Sequence, residues 1–181
     1  MKKNLFVFAV AVLCALTAVG QDDTKVTDVW RVNFLNPGVE YEMALTHKTT
    51  FSANVGVGYG ASHPNLTPYA SGWLYMIAPY VDVQYKYLYN RKRRNDKEKN
   101  IAFNSGNYLG ARMLSRGKAF KSNFTRTRDF DLAMGPIWGL QRAYGKFHLL
   151  FSVGPVYYTD LDGNSGIFPV MLELNLGFNV K

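Results

Sequence analysis

Nine ionisable residues fall where alternating apolar and polar stretches place their polar side chains: Arg31, Glu40, Glu42, Asp82, Lys86, Arg112, Asp131, His148 and Glu173. If these positions share one enclosed face, charges taken out of bulk water must pair or be hydrated. The first chemistry they imply is therefore a salt-bridged polar interior. A narrow path for protons or ions through the same groups is the second. Catalysis would be a third, with His148 as the base for a neighbouring hydroxyl. Ser152 is four residues on along the same face, about 13 Å away at roughly 3.3 Å per residue, which is beyond direct contact. Only a hydroxyl from another strand would serve. His47 and His63 lie in connections and make no metal-ligand spacing with His148. The glycines at 56, 58 and 60 have no helix after them, so they are not a phosphate-binding turn and more simply let a curved sheet close. These residues point to a non-enzymatic protein that calls for no cofactor.

Two basic segments stand apart from that face. Arg91, Lys92, Arg93, Arg94, Lys97 and Lys99 form one, and Arg116, Lys118, Lys121, Arg126 and Arg128 the other. Each reads first as a solvated connection. The second could also meet lipopolysaccharide phosphates, since basic residues near an anionic membrane surface contribute roughly 1 kcal/mol each.

The elements that must position these residues are strands. From residue 167 to 181 the chain reads IFPVMLELNLGFNVK, with Phe168, Val170, Leu172, Leu174, Leu176, Phe178 and Val180 on one face and Met171, Glu173, Asn175, Gly177 and Asn179 on the other. Strict alternation of this length exceeds the usual strand of about five or six residues. It suits a tilted membrane crossing, which takes roughly 9–11. The same grammar predicts strands over 26–35, 39–45, 49–61, 76–89, 107–114, 130–141 and 146–159, eight in all, with no helical periodicity between them. The break at Asn36-Pro37-Gly38 is a turn signal. Short connections at 46–48 and 142–145 would share one end with the C-terminus, and the loops at 62–74, 115–128 and 160–166 the other. Only the charged connector at 90–106 is long for the short-turn end. Trp30, Tyr87, Tyr89, Leu140, Phe147 and Phe178 near one end, and Trp73, Tyr75, Tyr157 and Phe168 near the other, would form two interfacial bands.

The 181 residues suffice for one domain. With 48% hydrophobic and 15% aromatic residues the mean hydropathy is still slightly negative, as averaging over alternating faces would make it. Residues 1–20 read as a secretory signal peptide: Lys2 and Lys3, an apolar run, then Ala18-Val19-Gly20 before the cut. The one cysteine, Cys14, would leave with it, so the mature chain would have no disulfide chemistry. Loss of the two lysines leaves 19 basic against 13 acidic residues. In an exported protein this favours anionic lipid or polysaccharide over nucleic acid.

The segments FLNPGVEYEMALTHKTTFSANVGVGYG, YVDVQYKYLYNRKRR, NSGNYLGAR, GPIWGLQRAYG and VGPVYY together resemble the small eight-stranded outer-membrane β-barrels of OmpX- and OmpW-like architecture, and the uncharacterised small barrels of gut anaerobes. That resemblance implies an all-β, antiparallel up-and-down transmembrane barrel at residues 21–181. It further implies location in the outer membrane, contact with its lipid and with the barrel-assembly machinery, and no reaction. The ending Phe178-Asn179-Val180-Lys181 departs from the terminal aromatic usual in such chains. Two other classes remain as readings: an outer-membrane enzyme acting on lipid A, and a soluble periplasmic barrel with an apolar interior.

Overall fold

The computed structural model describes residues 24–62, 74–123, 129–159 and 165–180. The signal-peptide segment, His63, Trp73, Arg126 and Arg128 lie outside them. Nine strands and two short helical turns make up the described chain: β1 (Val29–Asn33), β2 (Gly38–Ala44), β3 (Thr49–Ser62), β4 (Leu74–Leu88), α1 (Arg91–Asn95), a 3₁₀ turn (Ala102–Asn104), β5 (Gly106–Arg116), β6 (Lys121–Ser122), β7 (Asp131–Tyr144), β8 (Phe147–Thr159) and β9 (Ser165–Asn179). Eight of the strands form a closed ring. Each pairs antiparallel with the next in the chain, and β9 returns to β1. The two-residue β6 only adds to the far end of β4. The fold is all-β and antiparallel.

Alternation sets which atoms face the ring's interior. On β9, Leu172 is 64% exposed and Phe178 52%, whereas Asn175 and Asn179 are each 2%. The same inversion holds for Val39 beside Glu40, Val81 beside Asp82 and Leu109 beside Tyr108. The outside of the ring is apolar and the inside mainly polar, with two small apolar clusters around Leu88 and Tyr108 and around Tyr80 and Leu114. A soluble ring with an apolar interior would need the reverse. Following paired residues from Arg31 through Glu40, Asn54, Asp82, Leu114, Ala133 and Tyr158 arrives at Gly166, far along β9 from Asn179, where Arg31 also pairs. The strands are therefore strongly staggered, which tilts them and widens the interior.

Several expectations are corrected. The strand expected over 26–35 is ordered as β1 only at 29–33. The turn at 142–145 shrinks to Gly145 and Lys146, with Gly145 at φ 61°, so β7 runs on to Tyr144. Strand β5 continues to Arg116, which makes that residue a strand end rather than part of the loop. On β9 the alternation slips once. Met171 stands opposite Gly154 but Phe168 opposite Val156, a bulge that holds one extra residue. Phe168 thus packs against the buried Tyr80, Leu114, Ala133 and Val156 instead of facing out.

The charged connector is the largest departure. No helix was expected, yet α1 forms, and residues 90–105 fold across the short-turn end of the ring. Arg91 is 4% exposed. Its guanidinium donates to the carbonyls of Thr24, Lys25 and Ile101 at 2.8–2.9 Å, with Ser105 O at 3.5 Å. Burial pulls its pKa below the usual arginine value, with Glu42 the leading opposing influence. Asn104 clasps the leader, accepting from Thr27 N at 2.9 Å and donating to Thr27 O at 2.7 Å. Phe103 and Asn104 take left-handed backbone angles, φ 49° and 59°, a strain the surrounding hydrogen bonds must offset. Lys92, Arg93, Lys97 and Lys99 remain exposed.

Beside this cap, Asp28 accepts from Ala44 N at 2.8 Å and Tyr41 OH at 3.0 Å. Those bonds, the backbone one first, hold its pKa below the usual aspartate value. A lowered folded-state pKa contributes stability above the unfolded pKa, lost as pH falls through the folded one. Asp28→Asn is thus expected to lessen the drop in unfolding midpoint between neutral pH and about pH 3. An unchanged drop would remove Asp28 from the account.

Candidate functional site

The expected polar face is assembled inside the ring in two tiers. The lower tier, nearer the cap, is built on Arg31. Its Nη1 lies 3.0 Å from Glu40 Oε1 and its Nη2 2.5 Å from Glu42 Oε2. Its Nε donates to Asn179 Oδ1 at 3.0 Å, and Nη2 also reaches the carbonyl of Phe103 at 3.1 Å. The planar fork of arginine is suited to this, because it serves two carboxylates and two neutral acceptors at once. Lys86 supplies the second cation, at 3.5 Å from Glu40 Oε1 and 4.0 Å from Glu42 Oε1. It also donates to Gln141 Oε1 at 3.2 Å and lies 5.5 Å from the centre of the Tyr108 ring. Thr50 Oγ1 donates to Glu42 at 2.5 Å. Gln141 Nε2 donates to both oxygens of Glu42 and to Asn104 O, tying the tier to the cap.

The upper tier centres on Arg112. Its Nη2 is 2.6 Å from Asp82 Oδ2 and its Nη1 3.4 Å from Glu173 Oε2. Gln84 Nε2 donates to both oxygens of Glu173, and Ser152 Oγ donates to Oε2 at 2.8 Å. Tyr108 lies between the tiers. It can lie there because Gly139 has no side chain, and a Cβ at that position would run into the phenol ring.

Of the nine residues predicted, seven are buried. Arg112 is 11% exposed at its side chain, and Asp131 is at the rim. Asp131 is 28% exposed and stands 3.9 Å from Arg116, so it belongs to the mouth of the ring and not to its interior. His148 is brought inside at 1% exposure, but its two ring nitrogens have no hydrogen-bond partner among the described residues. Ser152 gives its hydroxyl to Glu173 instead. The hydroxyl–imidazole pair that a nucleophilic mechanism requires is not formed by these two residues. The oxygens of Asn33, Asn54, Gln84 and Asn175 are also buried without a donor, and a polar interior of this kind takes up ordered water. Of the basic loop residues, Lys118 is exposed 3.7 Å from Asp129, and Lys121 is exposed on β6.

The sequence reading counted only charged residues in the polar network, so it left out the uncharged Gln84, Gln141 and Asn179, which it had placed on the polar face, and Thr50, all of which bond to the charged groups. It also missed Arg91, one basic residue among several in its run, which nothing in the local sequence marks as the one that turns inward.

Arg31, Lys86 and Arg112 face Glu40, Glu42, Asp82 and Glu173, and this enclosed arrangement can hold the strands in one register. Fold and site together define a closed eight-strand antiparallel ring with an ionic interior and an apolar outer face. No family model matches the chain, and neither does any curated protein or solved structure.

Proposed function

We propose that the chain is an eight-stranded up-and-down outer-membrane β-barrel with a structural and surface-binding role, neither an enzyme nor an open pore. One observation carries this reading: apolar residues cover the outside of the ring, while the charged Arg31, Glu40, Glu42, Asp82, Lys86 and Glu173 are buried inside it. Trp30, Val55, Val81, Leu109, Met134 and Leu174 are all exposed, on six different strands. A contiguous apolar surface of this extent is unusual for a soluble monomer. A closed ring also meets the bilayer's demand that every backbone polar group be satisfied internally. The described helices include none long and apolar enough to cross, which says nothing of crossing by strands.

The filled interior and the cap on its short-turn end support a barrel that does not conduct. In the membrane orientation the cap and C-terminus face the periplasm, and Arg116, Lys118 and Lys121 rise towards lipopolysaccharide phosphates, with Arg126 and Arg128 beyond the described residues in the same loop. The test is the protein reconstituted into potassium-loaded vesicles. The expected leak equals that of empty vesicles, and a protein-dependent leak of ions would contradict the closed interior.

A further inference from the structure

The charges at the two ends of the ring are balanced differently. At the long-loop end Arg116 stands 3.9 Å from Asp131, and Lys118 3.7 Å from Asp129. At the short-turn end the exposed cations are Lys25 on the leader, Lys48 and Lys146 in the hairpin turns, and Lys92, Arg93, Lys97 and Lys99 on the cap. None of these lies within ion-pair distance of an acid among the described residues. The acids described at this end are Asp28, which already accepts from Ala44 and Tyr41, and Asp96 and Glu98 on the cap itself. Asp22 and Asp23 lie outside the described residues.

The cap holds its cations in a fixed fold. After α1 the amide of Glu98 donates to Asn95 O at 2.8 Å and that of Lys99 to Arg94 O at 2.9 Å, the paired bonds of a helix end closed by a left-handed residue. That residue is Glu98, at φ 52°, where glycine is usual. The reversal gathers Lys97 and Lys99 into one compact unit with Lys92 and Arg93. This unit is anchored at separate points of the ring. Arg91 bonds to the leader before β1, Arg31 of β1 donates to Phe103 O at 3.1 Å, and Asn100 Nδ2 donates to Ala143 O of β7 at 2.7 Å. The cap therefore crosses the end of the ring. Like charges gathered without acids between them repel one another, and an anionic partner relieves that repulsion. We propose that this end is a docking face for an anionic polymer of the periplasm that bears repeated carboxylates, as the peptide side chains of the cell-wall glycan do. The inference rests on the membrane orientation given above, in which the short-turn end faces that compartment. Cations on four separate segments suit repeated charges better than one small anion. A position across the ring's end also sets the cap away from the lipid headgroups around the wall.

The test is co-sedimentation of the protein, inserted in phosphatidylcholine nanodiscs, with purified peptidoglycan sacculi. Binding is expected at low ionic strength and is expected to vanish at about 1 M salt, where the screening length is roughly 3 Å. Lys92→Gln, Arg93→Gln, Lys97→Gln and Lys99→Gln together change only exposed side chains and leave the cap's anchoring bonds in place. That variant is expected to bind about tenfold more weakly. Lys118→Gln with Lys121→Gln, at the other end, should bind as wild type does. Sacculi whose carboxylates have been amidated should not retain the protein. Inserted protein that ignores sacculi, a cap variant that binds as wild type does, or equal retention by amidated sacculi would each overturn the proposal and leave the membrane reading standing. Equally strong cap-dependent binding to phosphatidylglycerol vesicles would assign the face to lipid and overturn the polymer. Protein that does not enter the nanodiscs at all would overturn the membrane reading, and with it the placement of this face in the periplasm.

Discussion

Arg31→Met is expected to destabilise the protein by about 3–5 kcal/mol, the range for removing one partner from a buried ion pair. Arg31 is fully buried and touches both Glu40 and Glu42, which are themselves 3% and 0% exposed. Without it Lys86 alone must balance two carboxylates, from 3.5 and 4.0 Å. The loss will show as a lower denaturant midpoint for the protein in detergent micelles, with little change in slope, because the surface exposed on unfolding stays the same. Arg31→Lys should fall between wild type and Arg31→Met, since a single ammonium cannot serve two carboxylates, Asn179 and the Phe103 carbonyl together. A midpoint unchanged in Arg31→Met would mean that the tier is hydrated and indifferent to pairing.

The second large effect concerns the cap. Arg91→Met removes a guanidinium bonded to backbone carbonyls on both the leader and the connector. Hydrogen bonds to charged groups contribute about 1.5–3 kcal/mol each, so the loss of several should loosen residues 90–105 selectively. Trypsin is the probe, because Lys92, Arg93, Lys97 and Lys99 are exposed on a segment whose fold now protects it. A rise of about 100-fold in cleavage there is expected, equivalent to about 2.7 kcal/mol of local opening, while β1 to β9 stay uncut. Equal cleavage of wild type and variant would show that Arg91 does not hold the cap.

The strands were legible because alternation is a property of every second residue and needs no tertiary information. Glu40 and Glu42, or Asp82 and Lys86, fall on one face whatever their partners are. The interior was legible to the same degree, since it inherits the polar face. Which face points inward was not legible, because it depends on closure of the ring, which the strands decide jointly. Phe168 was misplaced because a bulge depends on the facing strand: Pro169 favours one, but does not say on which side of it the register slips. The cap was hidden for a different reason. Its hydrogen bonds go mostly to carbonyls, which leave no trace in side-chain identity, and its left-handed residues are Glu98, Phe103 and Asn104, with no glycine to announce the turns. The break at 36–38, by contrast, was readable from Asn-Pro-Gly and is a true hairpin in which Asn33 pairs with Gly38.

The most direct test of the account is where the protein partitions and how it migrates. Expressed in a gram-negative host, it should sediment with outer membranes, resist alkaline carbonate, and dissolve in detergent. Unboiled, the detergent-soluble protein should run as a compact, faster band that shifts to the unfolded position on heating. A protein found wholly in the soluble fraction, with the same mobility before and after boiling, would contradict the membrane barrel.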